Sequence, residues 1–328
     1  MKAWRFHEFG SLDNLRLDEI SSPEPGPGEV LLRVEFAALN PADAYLIIGK
    51  YPRAGTPPMS VGRDGCAIVE VPRVGGRFKK GDRVVILRSD IGVGRDGTLA
   101  QCIAAPEDCL APLPEGWTSE EGAAAPLVFL TAWQALVEKG GVEAGQTVLV
   151  TGASGGVGTA AVTLGKAFNA RVIALSRSAE KRDRLRALGA DIVLDSSDPD
   201  LEQRAKDALH GGRVDLVVEN LGGPFLQTSI NLARERGRIL VVGLLAGLTA
   251  EIILGTIIFK QIRIEGVQVG AYTPQGAQAV WSKIVRKLDE VRARPLIDQV
   301  FPLREVREAF AYLAAGAMGK VLVDMRGQ

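Results

Sequence analysis

Apolar residues are laid along the chain in two textures, and the change between them falls near Ala123. Before that point they come in short β-type runs broken by turn residues, as where Val30-Leu31-Leu32-Arg33-Val34 follows the breaker Pro23-Glu24-Pro25-Gly26-Pro27-Gly28. Beyond it, β-branched apolar runs alternate with helix-length amphipathic stretches, the pattern of parallel βαβ units. Strands are predicted at residues 147–151, 171–175, 192–195, 216–219 and 238–242, and helices over 157–168 and 179–188 link the first three. After Gly270 the pattern predicts a helix over 275–291, another over 304–315 and a closing strand over 320–324. The fold class is therefore α/β: a β-rich first domain followed by a doubly wound parallel sheet.

A length of 328 residues suits two domains, because single cores stop growing at about 250 to 300 residues. Lysine plus arginine and aspartate plus glutamate each total 39, so the net charge is zero and no polyanionic partner is favoured. Nucleic acid is not expected as a partner. Cys66, Cys102 and Cys109 are an odd number without a pairing pattern, which fits buried thiols in a reducing compartment. The opening Met1-Lys2-Ala3-Trp4-Arg5-Phe6-His7 lacks the apolar stretch of a signal peptide, and no stretch has the roughly 18 apolar residues of a membrane span. A cytoplasmic protein with no membrane partner is expected.

The strongest local signal is Val148-Leu149-Val150-Thr151-Gly152-Ala153-Ser154-Gly155-Gly156-Val157-Gly158, an apolar strand running into a glycine-rich turn and a helix. Glycine lets such a turn be tight, lets backbone N–H groups approach a pyrophosphate, and lets the helix pack on the strand. The helix start adds N–H groups and the positive end of its dipole. A tight turn alone would need the glycines too, but the βαβ units around it favour a dinucleotide site. The next strand ends Ala174-Leu175-Ser176-Arg177-Ser178, with no acid where an NAD site would grip the ribose 2′-hydroxyl. Ser176, Arg177 and Lys181 suit a 2′-phosphate, so NADPH is expected ahead of NADH; the other reading is two solvated charges at a helix start.

His7 and His210 are the only histidines, and neither has a second ligand at metal spacing, so no catalytic zinc is expected. Without a metal to polarise a simple ketone, conjugated acceptors are easier, because arriving charge delocalises onto an oxygen that ordinary donors can stabilise.

Asn40-Pro41-Ala42-Asp43 followed by Gly49-Lys50-Tyr51-Pro52 resembles the zinc-independent, zeta-crystallin-like quinone oxidoreductase branch of the medium-chain dehydrogenase/reductase superfamily. The match continues through Val61-Gly62-Arg63-Asp64-Gly65, Gly81-Asp82-Arg83-Val84, Gly97-Thr98-Leu99-Ala100-Gln101, Leu130-Thr131-Ala132-Trp133-Gln134 and the glycine turn, then Val214-Asp215-Leu216-Val217, Gly237-Arg238-Ile239 and Gly319-Lys320-Val321. The resemblance implies a GroES-like catalytic domain over residues 1–124, a Rossmann-type cofactor domain over 125–268 and a segment over 269–328 returning to the catalytic domain. It also implies a metal-free site, since Asn40 and Arg63 stand where zinc-containing relatives have ligands.

Carried over by position, Tyr51, Asn40 and Thr131 are the implied catalytic residues at the nicotinamide end. Gly152, Ala153, Ser154, Gly155, Gly156, Val157 and Gly158 would hold the cofactor with Ser176, Arg177, Lys181, Asn220, Gly243, Lys260, Gly266, Val267 and Lys320. At Gly266-Val267 the chain departs from the family's Gly-Ser, and after the 192–195 strand it has Ser196-Ser197 where many NADPH-using relatives have an aromatic residue. Similar enoyl thioester reductases place a tyrosine at the position of Tyr51, near proton delivery; the other reading is an aromatic that shapes the pocket. The expected reaction is NADPH-dependent reduction of a quinone or α,β-unsaturated carbonyl. The alternatives are a 2-enoyl thioester reductase and a low-turnover NADPH-binding protein. The resemblance further implies a homodimer, with the apolar run over 251–259 near the shared sheet edge.

Overall fold

The computed structural model describes residues 1–52, 54–87 and 90–327. The chain divides into two compact units: Met1–Leu127 with Gly270–Val285 and Arg294–Gln328, and Val128–Val269 with Arg286–Ala293. Of the segment over 269–328, Gly270–Val285 and Arg294–Gln328 group with the first unit and Arg286–Ala293 with the second.

The first unit is organised by one long strand, Glu29–Leu39. Its first half alternates half-buried and buried residues, while Phe36, Ala37, Ala38 and Leu39 are all buried, as a strand covered on both faces must be. It pairs antiparallel with Asp64–Val71 along one side, and on the other with Cys102–Pro106 at its start and Lys320–Asp324 at its end. The closing strand, at the expected residues 320–324, therefore lies inside the seven-stranded sheet, with Val321, Leu322 and Val323 inaccessible to solvent. Phe6, Leu32, Ile86, Leu99 and Phe310 fill the core beside it. A separate antiparallel pair joins Lys2–Phe6 to Leu15–Glu19.

The short helix Pro41–Ile47 leaves the end of the long strand. Its start is built for the purpose: Asn40 is extended, Pro41 needs no donor, and the Asp43 carboxylate accepts the Asn40 N–H at 2.8 Å. This capping fixes Asn40 and Asp43 against the sheet.

The second unit is a six-stranded, all-parallel sheet in the order Ile192–Leu194, Arg171–Leu175, Thr147–Val150, Val214–Glu219, Ala233–Val241, Arg263–Gly266. Strand order reverses between Thr147–Val150 and Val214–Glu219, so their carboxyl ends flank the crevice where open α/β sheets bind ligands. Helices Gly156–Ala167 and Ala179–Ala187 follow the first two strands in sequence, close to their expected positions. The strand expected over 238–242 begins earlier, at Ala233, through the exposed residues Arg234, Glu235 and Arg236. The edge strand Arg263–Gly266 was not foreseen, since all four of its residues are exposed and it carries no apolar alternation. Within the described residues no helix is long and apolar enough to cross a membrane.

Candidate active site and cofactor cradle

In the second unit, the strand Thr147–Val150 hands over to the glycine turn at Thr151, whose N–H donates to Val218 O of the neighbouring strand. Gly152 has φ +55°, open to glycine at little cost. Gly158, in the first turn of helix Gly156–Ala167, would place a Cβ 2.4 Å from Gly152 O and 2.6 Å from Ala153 Cα, so only hydrogen fits. Gly155 caps this helix without a side chain, leaving its amino end to backbone N–H groups.

A buried carboxylate anchors the crevice. Glu219 is inaccessible to solvent and accepts from Thr151 Oγ1 at 2.7 Å, Ser229 Oγ at 2.6 Å and the N–H groups of Leu221 and Gly222. Thr151 in turn accepts the Asn220 N–H on its hydroxyl and the Asn220 side-chain amide on its carbonyl. Among the described residues Asn220 Oδ1 is left buried with no hydrogen-bond partner, an acceptor held at the switch point. Gly243 closes the other side, where a Cβ would lie 2.3 Å from Asn220 O. A cradle that side chains would fill, beside an orphan acceptor, fits a dinucleotide. The sequence reading named Asn220 and the glycines but missed Glu219, Thr151 and Ser229, which are joined only once the strand ends and helix Phe225–Leu232 come together.

At the end of Arg171–Leu175, Ser176 is buried and Arg177 exposed. Ser178 caps the next helix, accepting the Lys181 N–H. Arg182 was also missed: its Nη1 donates to the carbonyls of Ser176 and Arg177 and to Asp195 Oδ2, the last at 2.8 Å, pinning the turn that presents Arg177.

Two lysines differ from expectation. Lys260 Nζ donates to the carbonyls of Ile230, Asn231 and Ala233 at 3.1, 2.7 and 2.9 Å. These bonds close the carboxyl end of helix Phe225–Leu232 and leave Lys260 no donor for a cofactor. Burial holds its amine below the usual lysine range, with Arg213 and Lys206 adding to the effect. Lys320, also expected at the cofactor, is buried in the first unit, where its Nζ reaches Asn40 Oδ1 at 2.7 Å and Asp64 Oδ2 at 2.9 Å. Gly266 ends the edge strand, and the Val267 N–H donates to Val241 O. Thr131 is buried on helix Pro126–Trp133.

In the first unit, Asn40, Asp43, Tyr51, Arg63, Asp64 and Lys320 form one cluster. Asn40 Nδ2 donates to Asp64 Oδ2 at 3.0 Å, and Asp64 Oδ1 accepts the Leu127 N–H. Asp43 has no exposed surface; its Oδ1 lies 3.4 Å from Arg63 Nε. Burial pushes the Asp43 carboxyl above the usual aspartate range, against the pull of Arg63, the Asn40 N–H and Lys320. Arg63 Nη1 donates to Tyr51 Oη at 2.8 Å. Asp43 and Asp64 are the two carboxylates of this cluster, facing Arg63 and Lys320. Zinc does not fit such a donor set: an amide and a guanidinium stand at the positions used for ligands, and Lys320 already neutralises Asp64. No three His, Cys, Asp or Glu residues gather as a metal site among the described residues. His7 lies apart on the surface, bonded to Asp18, and His210 sits in an exposed turn with φ 51°.

Residues 26–115 match the alcohol dehydrogenase GroES-like domain, and residues 156–290 match the family described as zinc-binding dehydrogenase. The chain is 30% identical to the quinone oxidoreductase of Homo sapiens, over 98% of this chain and 97% of that protein. It is 29% identical to the 2-methylene-furan-3-one reductase of Solanum lycopersicum, over 98% of this chain and 79% of that protein. A solved structure described as an NAD-dependent alcohol dehydrogenase matches with a TM-score of 0.89 at 32% identity, covering 99% of each chain. Similar along both units to proteins of this kind, the chain belongs to the quinone oxidoreductase family of the medium-chain dehydrogenase/reductase superfamily.

Proposed function

We propose that the chain is a zinc-independent, NADPH-dependent oxidoreductase acting on quinones or α,β-unsaturated carbonyls. The observation that carries this reading is the charged cluster ending in Tyr51. Where a metal would polarise a carbonyl, the chain has two cations already matched by two carboxylates, and beside them a phenol. Such a site suits a conjugated acceptor, whose developing charge needs a hydrogen-bond donor and a proton rather than a Lewis acid. The furanone reductase among the relatives is named for an enone of this type.

The glycine turn, the start of helix Gly156–Ala167 and Asn220 Oδ1 would hold the cofactor, with Arg177 toward a 2′-phosphate. When bound, NADPH supplies the hydride. Tyr51 delivers the proton, and Asn40 in the first unit and Thr131 in the second keep the roles that their motif positions imply. One similar structure is described as NAD-dependent, so the preference for NADPH rests on this chain's own turn: no acid at residues 176–178 and an exposed Arg177 held by Arg182.

The partner proposed for the protein itself is a second copy, set along the edge strand Arg263–Gly266 and the helix Leu254–Lys260. No membrane or nucleic-acid partner is proposed, and the cytoplasm is the proposed location.

The test is a panel of quinones, enones, enoyl-CoA esters and simple ketones, followed by NADPH and NADH absorbance with and without chelator. Turnover of quinones or enones that survives chelation, with less than about one zinc per chain by elemental analysis, is expected. Turnover confined to simple ketones, or abolished by chelator, would overturn the reading.

A further inference from the structure

Arg63 is more deeply embedded than its own hydrogen bonding justifies. Its side chain is 11% exposed, yet among the described residues Nε and Nη2 are buried without hydrogen-bond partners. Buried N–H groups left unmatched are costly, so the position calls for a reason beyond the arginine itself. Among the described residues its hydrogen bond goes to Tyr51 Oη, and its Cζ lies 4.0 Å from the centre of the Tyr51 ring. The guanidinium thus holds the ring by its face and the phenol by its oxygen. The fully buried Asp43, its Oδ1 3.4 Å from Arg63 Nε, pairs with the guanidinium as an ion pair and leaves Nη1 to Tyr51.

We propose that Arg63 is the positioning residue for proton delivery by Tyr51, an inference that rests on the reading of Tyr51 as proton donor. A phenol has one proton to give and lone pairs to accept with. Because Arg63 has no acceptor atom, its bond to Oη can run only one way, with Tyr51 accepting. The Tyr51 proton must then point elsewhere, and among the described residues it meets no acceptor. Reduction of an enone or quinone leaves an enolate or its quinol equivalent. The Tyr51 O–H bond breaks, the proton bonds to that anion, and the electron pair stays on Oη. Arg63 Nη1–H, already in place at 2.8 Å, stabilises that charge until water returns a proton to Oη.

Lysine at position 63 keeps a cation beside Asp43, but a single ammonium cannot both face the ring and hold the oxygen. The test is a double-mutant cycle on NADPH-dependent enone reduction with Arg63→Lys, Tyr51→Phe and both together. Tyr51→Phe is expected to lower kcat by about a hundredfold or more, the scale of a lost general acid. Arg63→Lys should lower kcat by roughly tenfold with KM within about twofold, and in the Tyr51→Phe background it should change kcat by less than about twofold. Thermal melting and NADPH fluorescence titration check that both variants keep the fold and the cofactor. If Arg63→Lys does not fold, Asp43→Asn with Arg63→Met removes the buried pair together, and the same cycle is run on it. Equal losses from the Arg63 change with and without the Tyr51 hydroxyl would overturn the inference while leaving Tyr51 as donor. A Tyr51→Phe variant with unchanged kcat would overturn both.

Discussion

At the scale of single residues, surroundings rather than residue type decide which side chains can do chemistry. Cys66 is fully buried, and burial pushes its thiol up to about 12, so it packs as an apolar residue and is no nucleophile. Arg177 is the opposite case: exposed, at the end of the second strand of the wound order, on a turn fixed by Arg182. Arg177→Ala should therefore leave the turn in place and remove only charge. A charge-assisted bond to a 2′-phosphate contributes about 1.5 to 3 kcal/mol, so the KM for NADPH should rise by roughly ten- to a hundredfold while that for NADH hardly moves. Equal weakening of both cofactors in steady-state kinetics would show that Arg177 does not read the phosphate. Tyr51 could be singled out from sequence by its motif. The contact of Arg63 with Tyr51 could not, because stacking and a hydrogen bond between residues 12 apart depend on how the intervening turn folds. The bond from Lys320 to Asp64, spanning 256 residues, has no local signal at all.

At the scale of elements, legibility followed burial. The strands Arg171–Leu175 and Lys320–Asp324 were predicted at their observed bounds, because both-face burial leaves unbroken apolar runs. Arg263–Gly266 was missed because an edge strand needs no such run, and the start of Ala233–Val241 because Arg234, Glu235 and Arg236 are exposed and carry no apolar pattern. The long strand Glu29–Leu39 carries one charged residue in its buried half, Glu35. Burial pushes its carboxyl up, but the hydrogen bonds from Arg83 at 3.0 Å and Ser119 at 2.7 Å win and hold it below the usual glutamate range. They tie the strand to Arg83–Ile86 and to helix Ser119–Ala124. A folded pKa below the unfolded one means stabilisation that is present above about pH 4.3 and lost as pH falls through the folded value. Since Arg83 is half exposed, about 1 to 2 kcal/mol is expected rather than the full strength of a buried ion pair. Glu35→Gln should accordingly lower the melting temperature at pH 7 and leave it nearly unchanged near pH 3. A difference that persists at pH 3 would assign the loss to packing instead.

At the scale of the whole molecule, the second unit leaves one side of its sheet unfinished. Arg263–Gly266 ends the strand order with every residue exposed, so a row of backbone donors and acceptors is open to pairing. Immediately before it, the apolar run expected near a shared edge forms the helix Leu254–Lys260, with Leu254 65%, Ile258 69% and Phe259 85% exposed. Leu244, Leu245 and Leu248 are exposed as well. Scattered apolar residues are ordinary on a surface, but a helix face of this kind next to an open sheet edge in the same unit is a surface suited to burial. A two-fold partner would supply the same strand and the same helix face to each copy, closing the edge rather than propagating it. A stable interface of this kind buries about 1,200 Å² or more, in which a large central aromatic carries a disproportionate share of the binding energy. The protein should therefore run as a dimer in multi-angle light scattering at micromolar concentration. Phe259→Asp would place one charge from each copy at the apolar interface and should shift that distribution to monomer. Because Phe259 is exposed within its own chain, the substitution should leave the secondary structure of the monomer intact by circular dichroism. A wild-type monomer under these conditions, or a Phe259→Asp variant that stays dimeric, would exclude this surface as the assembly interface.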